Sequence, residues 1–428
     1  MHVLVMQHAS LFGSLESEQR QQGPCVPLFR KGCFVHFPDD HRENAIPTER
    51  NNTQGGISRR GLVLRAALAG GTLTLSGTGL TRAASPLRAQ DASPTPMGEP
   101  NAQMQEVLDE LASLNAIPIA SQPPFNARQL PLPADAVLSI LSTRGEPAQE
   151  LVGAVEHRLI PTTNGDLVAR VYTPEGEGPF PVLVYFHGGG WVIANLNTYD
   201  SSCRALTNAA RCVVVSVAYR QAPENPFPAA ADDAYYGFQY VAENAAEFGG
   251  EPDRVAVGGE SAGGNLSTIT CLLARDQGGI APVHQLLVYP VTTFLPEGEG
   301  LGTIRQYADA QPLGSSLLQY FGDLYVPDEA DRQSPSASPL LAADLSGLPP
   351  ATIIAAEIDP LLGQGRQYAD ALEAAGVDVT YTVYEGVTHE FFGMGAVVDT
   401  ANEAVAEAAA RLMESFGGSG GGGGTPTA

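Results

Sequence analysis

The chain has 428 residues, 43% hydrophobic and 16% charged, so it can bury a large core and is not a disordered protein. Its formal net charge of −24 argues against nucleic acid or an anionic membrane surface as partner. Residues 1–90 carry 10 basic and 6 acidic groups, whereas residues 91–428 carry 13 basic and 41 acidic groups. Lys31 is the only lysine, which indicates a G- and C-rich genome, a high-salt habitat, or both.

The front of the chain has the features of an export signal. Residues 1–57 form a polar, unperiodic extension, explained either by a start codon placed too far upstream or by a genuinely long amino-terminal region. Ser58-Arg59-Arg60 then precedes a weakly charged run through Leu80, and small residues follow up to Ala89. Residues 58–90 therefore resemble a twin-arginine signal peptide, the alternative being a plain helix with two surface arginines. The resemblance implies a periplasmic or secreted protein, and the run is too short and too weak for a stable membrane span.

Residues 91–150 are predicted to be a spacer followed by two helices. The spacer is rich in Pro, Ser and Ala, and apolar side chains at helical spacing predict a helix over Met104–Leu114. Prolines interrupt residues 118–133, and a second helix is predicted over Ala134–Ser142.

Residues 151–416 alternate β-branched runs with helical segments, which predicts an α/β fold with a mainly parallel central sheet flanked by helices. The predicted strands are Val155–Ile160, Leu167–Tyr172, Val182–Phe186, Cys212–Ala218, Val255–Gly258, Gln285–Tyr289, Thr352–Ala356 and Val379–Tyr384. The predicted helices are Ser201–Ala210, Ala229–Phe248, Ala262–Asp276, Gly365–Ala375 and Thr400–Phe416. Residues 293–345 break this rhythm and are predicted to be an insertion, while the Gly-rich tail 417–428 is predicted to be disordered.

The five cysteines are too few and too scattered for a disulfide framework, and no Cys-x-x-Cys metal spacing occurs. Cys203, Cys212 and Cys271 are predicted to fill apolar space, with a Cys203–Cys212 bridge as the alternative.

Ser261 lies between a predicted buried strand and a predicted helix, in the sequence Gly-Glu-Ser-Ala-Gly at positions 259–263. On such a turn a serine hydroxyl protrudes, and the flanking glycines allow strand and helix to approach closely. The helix N-terminus then makes the Ala262 N–H a donor for an oxyanion. The simpler alternative is a Gly-Ser turn that only joins two elements.

A histidine and three glycines at positions 187–190 follow the strand that ends at Phe186. Successive glycines let a loop pass close to a substrate and direct N–H groups at a developing oxyanion. Gly189 and Gly190 are predicted to donate, with Gly188 close by. His187 is predicted to organise the loop.

The base is found by elimination, because a triad on this kind of fold runs serine, acid, histidine along the chain. Only His284 and His389 follow Ser261, and His284 precedes almost every suitable acid. His389 lies in a loop after the last predicted strand, where the base is needed. Asp359 directly follows another strand and is the predicted acid, with Glu357 as its rival.

These motifs together resemble the hormone-sensitive-lipase-like group of α/β hydrolases, bacterial carboxylesterases in particular. The resemblance spans about residues 104–416 and rests on the segments His187–Trp191, Tyr219–Glu224, Phe227–Ala230, Gly259–Asn265, Asp359–Leu361 and on His389. It implies Ser261 as nucleophile, Asp359 as acid, His389 as base, and a helical cap over the site. The chain departs from the group at Glu260, where Asp is usual, and at Gly363-Gln364, where Arg-Asp is often found.

The sequence thus predicts a carboxylic-ester hydrolase that acts on small to medium, fairly apolar esters and needs no metal or organic cofactor. An amidase or lactonase with the same triad is the alternative among enzymes. From another class, a ligand-binding receptor with an inactive triad could use this fold.

Overall fold

The computed structural model describes residues 98–114 and 117–417. Their main feature is an eight-stranded sheet with the order β1-β2-β4-β3-β5-β6-β7-β8. Strands β3 to β8 pair in parallel, and β1 and β2 pair antiparallel at one edge. The strands are β1 Ala154–Ile160, β2 Leu167–Thr173, β3 Phe180–Phe186, β4 Val213–Ala218, β5 Gly250–Glu260, β6 Gln285–Val288, β7 Ala351–Ile358 and β8 Val379–Thr388. All eight predicted strands are present.

Helices cover both faces of this sheet. They are α1 Ala102–Leu114, α2 Pro124–Ala127, α3 Pro133–Arg144, α4 Asp200–Ala210, α5 Ala229–Glu243, α6 Ala262–Gln277, α7 Gly298–Gln306, α8 Ser315–Tyr325, α9 Leu362–Ala374 and α10 Asp399–Ser415. Every predicted helix is present. The predicted Ala229–Phe248 helix ends at Glu243, and a 3-10 turn over Ala245–Phe248 completes it.

The alternation of side chains along the central strands produces two hydrophobic cores. In β3, Val182 and Val184 point into a core shared with α5, α6 and α9, whereas Leu183 and Tyr185 point into a core shared with α4 and α10. Both faces of β3 are therefore buried, as expected for a parallel strand with helices on either side. This three-layer arrangement holds the carboxyl ends of β5, β7 and β8 along one edge.

The helical cap predicted over this edge is present, and it comes from two distant parts of the chain. Residues 102–114 and 117–133 supply one part, and α7 and α8, which lie within the predicted insertion 293–345, supply the other. The Tyr320 hydroxyl of α8 donates to the Gln122 carbonyl at 3.0 Å and joins the two. Arg128 anchors the first part by donating to the carbonyls of Val192 and Ala222, each at 2.7 Å.

Helix α1 also contacts the strand that precedes the predicted base. The Asn101 N–H donates to the Gly386 carbonyl at 2.8 Å, and the sulfur of the buried Met104 lies 3.5 Å from the Thr388 hydroxyl. Thr388 is the last residue of β8, so α1 packs directly behind the loop that carries His389.

Cys203, Cys212 and Cys271 are free and buried. The apolar-filling prediction is confirmed, and the alternative Cys203–Cys212 bridge is absent.

Within the described ranges, no helix is long and apolar enough to cross a membrane. The predicted extension 1–57, the signal 58–90, most of the spacer and nearly all of the tail lie outside those ranges, so these boundaries stay predictions.

Candidate active site

Ser261 lies at the turn between β5 and α6, with its backbone in the left-handed region at φ 56°. This conformation is strained for a residue with a side chain, and the surrounding structure enforces it. The Ser261 N–H donates to the Val288 carbonyl at 2.8 Å. A Cβ added at Gly259 or Gly263 would collide with the Phe186 carbonyl of the neighbouring strand, so both positions must stay glycine.

His389 and Asp359 lie beside this serine at the ends of β8 and β7. The His389 Nε2 is 3.0 Å from the Ser261 Oγ, and the His389 Nδ1 is 2.7 Å from the Asp359 Oδ2. The other Asp359 oxygen accepts from the Leu361 N–H at 2.8 Å, which fixes the carboxylate. An imidazole held in this way can accept the serine proton while the carboxylate holds its tautomer.

The environment of His389 favours its protonated form. Burial opposes the charged imidazolium, but Asp359, Glu390 and Glu260 together outweigh burial, and Asp359 contributes most of their effect. The pKa of His389 therefore lies above its ordinary value of 6.5. The ring also packs on Tyr289, with 4.5 Å between the ring centroids.

The glycine loop after β3 borders the same space. Gly189 and Gly190 line the cavity beside Ser261, and both have positive φ values, 90° and 58°. Within the part of the chain that the structure describes, the N–H groups of Gly189, Gly190 and Ala262 form no backbone hydrogen bond, which leaves them available to a ligand. Gly188 does not line the cavity, and a Cβ there would collide with the Tyr199 hydroxyl.

His187 and His284, the other two histidines of the sequence analysis, lie in surroundings typical of a structural role. The His187 ring stacks on Tyr219 at 4.4 Å and its Nδ1 bonds the Gly188 carbonyl, while burial lowers the pKa of His187 to about 4. His284 is buried between the Ser415 and Thr352 hydroxyls, at 2.9 and 3.0 Å. The interpretation of both as structural agrees with these contacts.

Glu357, the rival acid, is turned to a different partner. Its Oε2 accepts from the Gly386 N–H at 2.8 Å, so it supports the end of β8 before His389. Asp359 is the carboxylate that bonds the imidazole.

Sequence reasoning missed a second group of polar side chains next to the triad. The Tyr185 and Tyr289 hydroxyls donate to Glu260, which is fully buried; burial and the nearby Glu390 raise the pKa of Glu260 to about 7. The Tyr199 hydroxyl lies 2.7 and 2.8 Å from the two oxygens of Glu390. The only signal for Glu260 in the sequence was its departure from the family pattern. The only signal for Glu390 was its position directly after His389.

A cavity of about 830 Å³ opens above Ser261 and His389. Its walls combine the glycine loop with both parts of the cap, mostly through apolar side chains such as Leu108, Ile193 and Phe321. Such a volume suits a small to medium organic molecule. No group of three or more His, Cys, Asp or Glu that could hold a metal occurs in residues 98–114 and 117–417.

Comparisons with known proteins agree with this geometry. A family model described as the alpha/beta hydrolase fold matches residues 183–393. The chain is 44% identical over 241 residues to the carboxylic ester hydrolase LipN of Mycobacterium tuberculosis, an alignment that covers 55% of this chain and 63% of LipN, under two thirds of that protein. It is 44% identical over 255 residues to the carboxylesterase NlhH of the same species, covering 59% of this chain and 79% of NlhH.

Solved structures resemble the chain over a longer stretch. An ester hydrolase from the metagenome of Lake Arreo, solved with a bipyridine phosphonate derivative, is 36% identical with a TM-score of 0.67, covering 74% of this chain and 99% of that one. A hyperthermophilic esterase from the archaeon Pyrobaculum calidifontis is 36% identical with a TM-score of 0.66, covering 75% and 99%. The chain therefore belongs to the α/β-hydrolase family, in its hormone-sensitive-lipase-like group of carboxylesterases.

Proposed function

We propose that this chain is a serine carboxylic-ester hydrolase that cleaves small to medium apolar esters through Ser261, His389 and Asp359. The observation that carries the proposal is the continuous hydrogen-bonded chain from Ser261 Oγ through His389 to Asp359, at 3.0 and 2.7 Å, beside a largely apolar cavity. The relatives are named carboxylesterase and esterase, which supports the same reaction.

In the proposed acylation step, His389 takes the Ser261 proton as Oγ attacks the ester carbonyl carbon. The negative charge that develops on the carbonyl oxygen is stabilised by the N–H groups of Gly189, Gly190 and Ala262. His389 then returns the proton to the alcohol oxygen, the C–O bond breaks, and the acyl group remains on Ser261.

In the proposed deacylation step, a water molecule takes the place of the alcohol. His389 accepts its proton, the resulting hydroxide attacks the acyl carbon, and Ser261 leaves with the proton returned. Asp359 stabilises the imidazolium in both steps without itself being protonated. The proposed chemistry uses only groups of the protein and one water.

A fluorophosphonate probe and a series of 4-nitrophenyl esters of increasing acyl length test this function. The probe is expected to label Ser261, and Ser261→Ala and His389→Ala are each expected to lower ester turnover by roughly 10⁴- to 10⁶-fold. Ser346→Ala and His157→Ala, both at exposed positions outside the site, are the matched controls.

Two results would contradict the proposal. A folded wild-type protein without covalent labelling would indicate a ligand-binding protein on this fold. Faster turnover of matched amides or lactones than of esters would replace the ester with one of those substrates.

A further inference from the structure

Glu390 is a carboxylate that the proposed reaction does not use, although it lies in the active-site cavity. It directly follows His389, and its side chain is 19% exposed. Its backbone has φ 73°, in the left-handed region that glycine adopts more readily. A non-glycine residue kept in this strained conformation next to the base points to a function for its side chain.

The hydrogen-bonding capacity of Glu390 is largely unused. An ionised carboxylate has about four acceptor sites, and the Tyr199 hydroxyl, which lies close to both oxygens, has a single hydrogen to give. No other donor within hydrogen-bonding distance engages Glu390 among residues 98–114 and 117–417. A mostly buried carboxylate with vacant acceptor sites is costly, so a donor on a bound ligand would be attracted to it.

The position of Glu390 identifies the part of the ligand that reaches it. His389 Nε2 gives its proton to the departing alcohol, so the alcohol oxygen must lie against Nε2. The Glu390 Oε1 is 3.9 Å from the same Nε2. Glu390 therefore borders the alcohol part of the ester, near the first atoms beyond the ester oxygen.

The other acidic residues of the cavity are arranged differently. Asp323 is paired with Arg332 at 2.8 Å. Asp109 and Asp309 are exposed to solvent. Glu390 is thus the cavity carboxylate that combines contact with the triad, burial and free acceptor sites.

We propose that Glu390 is a specificity-determining residue that selects esters whose alcohol part carries a hydrogen-bond donor, a hydroxyl or a protonated amine, two carbons from the ester oxygen. The proposal rests on the esterase function and names the alcohol class that this same site takes. The donor binds the carboxylate while the ester C–O bond breaks as before, so no additional reactant is needed.

The test compares two esters of the same size, propyl butyrate and 2-hydroxyethyl butyrate, with the purified full-length protein. The measured preference is the kcat/KM for the hydroxyethyl ester divided by the kcat/KM for the propyl ester, in each variant. Comparing this preference between a variant and the wild type removes the difference in intrinsic reactivity of the two esters. In Glu390→Leu the preference for the hydroxyethyl ester is expected to fall by about tenfold, the effect of one hydrogen bond to a charged group.

Tyr199→Phe is the matched control, since it removes the contact to Glu390 but keeps the carboxylate. The hydroxyethyl preference is expected to remain at or above the wild-type value in this variant. An unchanged ratio in Glu390→Leu, or an equal loss in Tyr199→Phe, overturns the proposal while propyl butyrate turnover still supports the esterase. Failure of the wild type to hydrolyse either ester contradicts the esterase function itself.

A second pair keeps the proposal testable if Glu390→Leu does not fold. Glu390→Gln preserves the shape and removes the charge, and 2-(dimethylamino)ethyl butyrate has the same shape as 3-methylbutyl butyrate but is protonated near neutral pH. The preference for the amino ester is expected to fall by about tenfold in Glu390→Gln. A preference that stays at the wild-type value overturns the role of the Glu390 charge.

Discussion

Three carboxylates surround His389, and their distinct contacts assign them different tasks. Asp359 bonds Nδ1 directly, Glu390 lies 3.9 Å from Nε2, and Glu260 influences the imidazole only through its charge. Glu260 receives two tyrosine hydroxyls, so its burial is compensated by hydrogen bonds. His389 thus lies in a negative environment that favours the imidazolium of the proposed mechanism.

Replacing the acid tests its assignment. Asp359→Asn is expected to leave the fold intact and to lower kcat on the order of 10⁴-fold, because an asparagine permits the wrong tautomer of His389. Glu357→Gln, the matched change two residues earlier, is expected to retain most activity. Turnover of a short-chain ester and thermal unfolding of each variant check this, and a larger kcat loss in Glu357→Gln would reverse the assignment.

The pH dependence follows from the raised pKa of His389. Only the neutral imidazole can accept the serine proton, so activity is lost as pH falls through the pKa of His389 in the folded protein. Because Asp359 and its neighbours raise that pKa, the acidic limb of kcat/KM is expected to be centred above 6.5. A pH profile on a neutral ester measures it, and a rate that stays constant from pH 8 to pH 5 would exclude His389 as the base.

At the scale of elements, regular patterns were predictable and irregular ends were not. The apolar runs located all eight strands, but β5 begins at Gly250 rather than Val255, since its first residues are polar and carry no strand pattern. The predicted helix through Phe248 instead ends at Glu243, where Asn244 donates its side-chain amide to the Tyr240 carbonyl at 2.8 Å. Local hydrogen bonds of this kind compete with the helix and are weakly encoded in periodicity.

The candidate site, like the elements, could be predicted from the sequence only in part. Ser261, Asp359 and His389 could be predicted as site residues because each follows a strand and the chain order restricts the choice. Tyr199 and Glu390 are 191 residues apart, and no spacing rule connects them. Their contact depends on tertiary packing, because Tyr199 directly precedes α4, and α4 packs against α10 and against the turn that follows Glu390.

Two glycine substitutions test the close approach of β5 and α6. Gly263→Ala is expected to destabilise the protein by about 3 kcal/mol and to reduce turnover, because the new Cβ would strike the Phe186 backbone. A Cβ at Gly237, inside α5, would make only ordinary contacts with Val217 and Leu167. Gly237→Ala is therefore expected to increase the free energy of unfolding by about 0.5–1 kcal/mol. Chemical denaturation of both variants gives the free energies, and equal values would contradict the packing described for Gly263.

At the scale of the whole molecule, the acidic charge predicts a response to salt. With 41 carboxylates and 13 basic groups in residues 91–428, repulsion destabilises the folded state at low ionic strength. The unfolding temperature is expected to rise from low to molar sodium chloride as this repulsion is screened. A constant or falling temperature would leave a G- and C-rich genome as the better explanation of the single lysine.

We further propose that residues 58–90 direct twin-arginine export, with cleavage between about Ala83 and Ala92. Replacing Arg59 and Arg60 by lysine is expected to retain active precursor in the cytoplasm, because this route requires the arginine pair. Fractionation with an esterase assay measures the distribution. Equal export of the Lys-Lys variant, or an exported protein that still contains residues 59–80, would rule out a cleaved signal.

The position of α1 has a consequence for shortening the enzyme. One side of this helix forms a wall of the cavity. Asn101, which directly precedes the helix, and Met104 within it hold Gly386 and Thr388 just before the proposed base. A truncation at residue 118, made to admit bulky esters, would also remove that support. The shortened enzyme is therefore expected to accept wider substrates while turning over even the smallest ones more slowly, so entrance width and catalytic rate cannot be engineered independently at this end of the chain.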